Sequence, residues 1–152
     1  MSKAAELAAG QSFINPCAFL VRPTSNQANI GVGGSATTVV FGTEVLDLGG
    51  NFASNAFTAP ITGSYQLNVF LRLEAVDSAA AYYHAVIVTS NRSYDLMFDP
   101  DFGQDAAFFN LSGSVLADMD ASDTASITIF QSGGTSQTDI NTSSTFSGFR
   151  VS

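Results

Sequence analysis

The sequence predicts an all-β fold, an antiparallel β-sandwich of jelly-roll type behind a short N-terminal arm, and three observations carry that prediction. Apolar and polar residues alternate with period two along Tyr65–Glu74, where Tyr65, Leu67, Val69, Leu71 and Leu73 share one face and Gln66, Asn68, Arg72 and Glu74 the other. Charged residues make up only 12% of the chain against 45% hydrophobic, and the abundant Ser, Thr, Asn and Gln suit strands and turns better than exposed helices. Thirteen Gly and four Pro supply frequent turns, while thirteen Phe and no Trp predict a core built on one aromatic.

Residues 1–16 form the arm. Ser2 is placed to cap a helix of about two turns that Gly10 would stop. So short a helix needs another surface to hold it, which makes Ser2, Lys3, Glu6, Leu7, Phe13 and Ile14 docking candidates. Asn15-Pro16 closes the segment, because proline drives the preceding residue out of helical geometry. Strands are then predicted at 18–22, 37–41, 65–74, 82–90, 94–98, 106–117, 125–131 and 145–151, with a turn at 91–93 and a break at Asp99-Pro100-Asp101. Nothing after residue 16 carries a helical period, so a sandwich or jelly roll over residues 17–152 is favoured over a parallel-sheet fold. Phe70 interrupts the polar face of its strand, as an inter-subunit contact or an overlying loop would require.

Composition also excludes function classes. A net charge of −8 and five scattered cations (Lys3, Arg22, Arg72, Arg92, Arg150) leave no basic face for nucleic acid. No apolar run approaches the ~20 residues that span a bilayer, and no secretion signal is evident, since Glu6 interrupts the short Ala/Leu stretch. Cys17 stands alone, with neither a disulfide partner nor a thiolate cluster for zinc, and reads as a buried thiol. So few charges leave part of the surface to be covered by other chains, which predicts an oligomer.

Phe57-Thr-Ala-Pro-Ile-Thr-Gly-Ser-Tyr65, running into the alternating strand, resembles the signature of the C1q/tumour necrosis factor superfamily. Pro60 and Gly63 make the turn there, and Tyr65 begins the buried face. The likeness extends to Ala18-Phe19, Val39–Phe41 and Gly49–Phe52 upstream, and to Ser114–Asp118, Asp123–Ile127 and Thr145–Phe149 downstream, where Gly148 sits between Phe146 and Phe149. The resemblance implies a ten-stranded jelly roll that assembles as a compact homotrimer and serves as a binding head. Phe57, Pro60, Gly63, Tyr65, Phe70, Phe146, Gly148 and Phe149 would then belong to the core or trimer signature. The chain lacks the collagen-like or coiled-coil stalk of many members. Its opening, Met-Ser-Lys-Ala-Ala-Glu-Leu-Ala, resembles the starts of tailed-phage virion proteins, particularly those of marine cyanobacteria.

No catalytic machinery is visible: the single histidine, His84, lies on a strand, and no nucleophile elbow, phosphate-binding loop or His/Cys metal spacing occurs. Asp99, Asp101 and Asp105, and separately Asp118, Asp120 and Asp123, have a spacing that could offer hard oxygens to calcium, although turn-forming aspartate is the simpler reading and no other cofactor is implied. Asn91, Asn110 and Asn141 fit the glycosylation sequon, which means little without an export signal. The expectation is a non-enzymatic virion protein, a homotrimeric capsid decoration (cement) protein whose arm docks on the major capsid protein. The alternatives are a receptor-binding head of a tail fibre or spike, contacting host glycans or proteins through loops 24–35 and 133–144, a C1q-like lectin, and a glycosidase using two loop carboxylates.

Overall fold

The structure, a computed structural model, describes residues 17–152. The docking residues Ser2, Lys3, Glu6, Leu7, Phe13 and Ile14 lie outside the described residues. Alternation of side chains becomes alternation of burial: from Tyr65 to Leu73 every odd residue is buried and every even one half-buried. This strand, β6 (Gly63–Val76), is the spine of the first sheet. Along one edge it pairs with β9 (Ala106–Met119). Along the other it meets β12 (Thr145–Arg150) and then the short β11 (Asp139–Ile140). β1 (Ala18–Arg22) continues the sheet from β12, and β3 (Thr43–Leu48) closes it, with a register shift at Leu20/Val21.

The second sheet runs β4 (Phe52–Ala53), β5 (Ala56–Thr58), β10 (Thr124–Ser132), β7 (Tyr82–Thr89), β8 (Ser93–Phe98), with β2 (Thr37–Thr38) also on β10. All named strand pairs are antiparallel. Two antiparallel sheets packed face to face make the jelly-roll sandwich the sequence predicts.

The core between the sheets is phenylalanine-rich, as composition suggests. The Phe19 ring stacks on Phe57 (centroids 4.7 Å apart) and Phe52 (5.4 Å) and takes Phe146 edge-on at 4.9 Å. Each buried ring contributes about 1.5–3 kcal/mol relative to leaving it in water. Gly148 is buried where a Cβ would stand 2.8 Å from Phe19 Cε1 and 2.9 Å from both Gln66 O and Leu67 Cδ2, so only hydrogen fits. Gly63 opens β6, and its backbone lies so close to the Ser152 carbonyl that a side chain has no room. The bend falls on residues 60–62, so Gly63 lies in the strand itself and serves close approach to Ser152. Tyr65 is fully buried, and its hydroxyl donates to Ile61 O at 2.5 Å, fixing the Pro60–Thr62 connection.

Two strand expectations change. Of 37–41 only Thr37–Thr38 joins a ladder, while Val39 and Phe41 anchor an irregular segment by burial. Residues 43–48, 52–53 and 56–58 form strands where the sequence suggested loop and signature turn.

Candidate interaction surface

The two ends of the sandwich differ. The chain enters at Cys17, beside Ala18, whose register partners are Phe149 and Leu48. Asp118, opposite Ser64, marks the same end. Segments 24–30, 77–80, 99–105 and 133–144 gather at the other end, near Glu74 and Val76. Asn26 Nδ2 donates to Glu74, Gln27 bridges to Ile140, and Ser78 and Gln137 both donate to Asp105. Cys17 thus lies at a base, and the longer loops form a distal tip.

A polar knot fixes the tip. Tyr83 Oη accepts the Asp77 N–H at 2.8 Å and shares a hydrogen bond of 2.7 Å with Thr138 Oγ1. Burial pushes the Tyr83 hydroxyl above its ordinary pKa, partly offset by those hydrogen bonds. The buried Asp77 carboxylate accepts the Ala79 N–H at 2.8 Å and the Thr135 N–H, and Gln131 Nε2 donates to the carbonyls of Gly133 and Thr135. Asp105 accepts from Ser78 N (2.9 Å), Gln137 Nε2 (2.9 Å) and Ser78 Oγ (2.8 Å), which together hold its carboxyl below the usual range.

The predicted acidic groups separate accordingly, Asp99, Asp101 and Asp105 to the tip and Asp118, Asp120 and Asp123 to the base. Asp118 pairs with Arg92 Nη2 at 2.6 Å, Asp123 accepts the Asp120 N–H at 2.8 Å, and Asp99 accepts the Asp101 N–H at 3.1 Å. Among the described residues no group of three or more His, Cys, Asp or Glu side chains could hold a metal ion. These aspartates act as turn and ion-pair residues. His84 Nε2 lies 2.9 Å from Asp95 on the outer face of the second sheet, its ring edge-on to Phe130. No hydroxyl or thiol is hydrogen-bonded to it among the described residues. Cys17 is buried, with its thiol pKa raised by that burial and by Asp47.

What the structure gathers instead is uncovered apolar surface. On the outer face of the first sheet, register places Leu48, Ala18, Phe149, Gln66 and Leu116 in one row across five strands, and Leu46, Leu20, Ser147, Asn68 and Ser114 in the next. Leu46, Leu48, Phe149, Leu116 and Phe108 remain between 41% and 59% exposed. Phe70 lies on this face between Thr145 and Ser112.

The second apolar surface is an open edge. β8 and β9 each pair on one side only, and side chains alone close the gap between them. Phe98 stacks on Phe109 at 4.0 Å, Tyr83 stacks on Phe98 at 4.8 Å, and the Leu96 side chain lies over Gly113. Tyr94, Leu96, Phe98, Phe109, Leu111 and Val115 are left only partly buried. A fourteen-residue edge strand flanked by apolar side chains is a surface that soluble proteins cover. Sequence reasoning picked out Phe70 and Phe149 through signature and pattern. It missed the edge, because which strands lie outermost is a property of topology.

The C1q domain family model matches residues 18–151. Among solved structures, the globular domain of zebrafish complement 1qA superposes with a TM-score of 0.64 at 19% identity, covering 90% of this chain and 98% of that one. Murine APRIL gives 0.65 at 11% identity, covering 90% and 99%. The Eiger tumour necrosis factor of S. frugiperda gives 0.66 at 10% identity, covering 91% and 94%. At such identities these likenesses establish the fold. No curated protein sequence matches the chain.

Proposed function

The chain belongs to the C1q domain family, and from that premise we propose that it is a non-enzymatic, homotrimeric binding module, a decoration protein anchored on a phage capsid by residues 1–16. One observation carries the trimer: two different apolar surfaces, the outer face of the first sheet and the β8/β9 edge, stand on adjacent sides of one sandwich. A contact joining unlike surfaces is heterologous, and repeated by rotation it closes a ring instead of ending at two copies. A stable interface takes about 800 Å² from each partner, and the two surfaces offer apolar area for such a contact.

The capsid reading draws on the opening residues, which resemble those of tailed-phage virion proteins, and on the polarity of the sandwich. An arm leaving from the base beside Ala18 leaves the tip facing outward. Burying a few hundred square ångströms of arm would add several kcal/mol at each site, at about 25 cal/mol per Å². Removing residues 1–16 is expected to leave a folded trimer that no longer decorates expanded capsids; undiminished decoration would overturn the arm's role. The clustering of segments 24–30 and 133–144 at the tip favours a second reading, a receptor-binding head for a host protein or glycan. In that case the purified trimer would compete with phage adsorption to host cells.

A further inference from the structure

Arg72 sits on the outer face of the first sheet, half-buried, with Asn110 as its register partner on β9. Its guanidinium lies over the Phe108 ring at 4.6 Å, and its Nε is fully buried with no hydrogen-bond acceptor among the described residues. The adjacent carboxylate on that face is already engaged, since Glu74 accepts from Asn141 Nδ2 at 2.5 Å and Asn26 Nδ2 at 3.2 Å. Among the described residues the ion pairs are His84–Asp95 and Arg92–Asp118, and neither includes Arg72. With no ion pair among the described residues, the guanidinium is a half-buried charge on an apolar face, which is costly without a counter-ion.

An unengaged carboxylate stands on the other surface. Asp99 and Asp101 are exposed on either side of the buried Pro100, in the segment that joins β8 to β9. Asp99 accepts the Asp101 N–H, whereas the Asp101 carboxylate makes no hydrogen bond or ion pair among the described residues. The level of this segment along the strands is fixed by stacking. Phe98 and Phe102, which bracket it, lie 4.0 and 5.6 Å from Phe109, and Phe109 pairs with Leu73. The side chain of Phe102, the residue next to Asp101, therefore packs near the level of Leu73, the neighbour of Arg72 on β6. A ring with its axis along the strands preserves height from copy to copy. It brings the β8/β9 edge of one copy, with its Asp101, to the level of Arg72 on the next.

We propose that Arg72 forms an inter-subunit ion pair with Asp101 of the neighbouring copy, so that each Arg72 site is completed only by assembly. This rests on the homotrimer reading, and charge exchange separates the two. Sedimentation over a concentration series is expected to show that R72D and D101R each raise the concentration for half-dissociation at least about tenfold, and that R72D/D101R returns it to within about threefold of wild type. D101R alters an exposed loop position and so tests the pair even where R72D folds poorly. A wild-type trimer left unchanged by the single substitutions, or weakened without recovery in the double, overturns the ion pair and leaves the trimer standing. A wild-type monomer overturns both.

Discussion

Gly148→Ala is the smallest change that tests the packing of the phenylalanine core. Gly148 pairs with Phe19 on one side and Leu67 on the other. Its φ is not in the left-handed region, so the added methyl group acts through sterics and not through backbone strain. The new Cβ would stand 2.8–2.9 Å from Phe19 Cε1, Gln66 O and Leu67 Cδ2. Carbon contacts prefer about 3.5–4.0 Å, so each neighbour must retreat by more than half an ångström. Gln66 O is backbone held in the β6–β12 ladder, and Phe19 is pinned by Phe52, Phe57 and Phe146, so none yields cheaply. Overpacking of this kind costs about 1–3 kcal/mol, and with a urea slope near 2 kcal/mol per molar the midpoint should fall by about 1 M with the slope unchanged. Gly113→Ala supplies the contrast, because its Cβ meets only the Leu96 side chain at the open edge, which can swing aside. Unfolding should be followed at one fixed protein concentration, since assembly contributes to apparent stability. Equal midpoints for G148A and wild type, or equal losses for G148A and G113A, would refute the packing argument.

Tyr83→Phe leaves the buried Asp77 N–H without its acceptor and removes one of the two hydrogen bonds of Thr138 Oγ1, and is expected to cost about 1–3 kcal/mol in urea unfolding, with the strands intact by circular dichroism. Asp105→Asn tests the tip by pH. A depressed folded pKa means that the carboxylate stabilises above the ordinary carboxylate range, and that this contribution is lost as pH falls through the depressed value. The melting difference between wild type and D105N should therefore be full at neutral pH and shrink on acidification, and a pH-independent difference would contradict it. Leu116→Glu puts a charge into the first sheet's apolar row and should shift the protein toward monomers in light scattering. Met97→Glu, on the outer face of the second sheet, should leave the mass unchanged.

The legibility of this fold in its sequence follows burial. β6, β7, β10 and β12 alternate between core and surface, so their hydrophobic pattern located them to within two residues at each end. β3 escaped because it is a sheet edge with Val45, Leu46 and Leu48 largely exposed, which breaks the alternation. β4 and β5 are two and three residues long, too short for any period to register. Phe19, Phe57 and Phe146 could be read as core from composition and signature, but the role of Gly148 as a gap for Phe19 appears only when β1, β12 and β6 lie side by side. The aspartate spacing admitted both turn-forming and calcium-binding readings, and what each carboxylate meets appears only in the fold. Asp99 and Asp123 turn their carboxylates to local amides, Asp105 to Ser78 and Gln137, and Asp118 to Arg92. Arg72 carried no motif at all, and its isolation became visible only with Glu74 engaged by Asn26 and Asn141.

The homotrimer is tested most directly by the mass of the purified 152-residue chain in solution, measured by sedimentation equilibrium at physiological salt. Three times the 15.8 kDa of the chain, constant over a wide concentration range, is the result the two complementary apolar surfaces predict. A single-chain mass at micromolar concentration, with the domain folded, would contradict it.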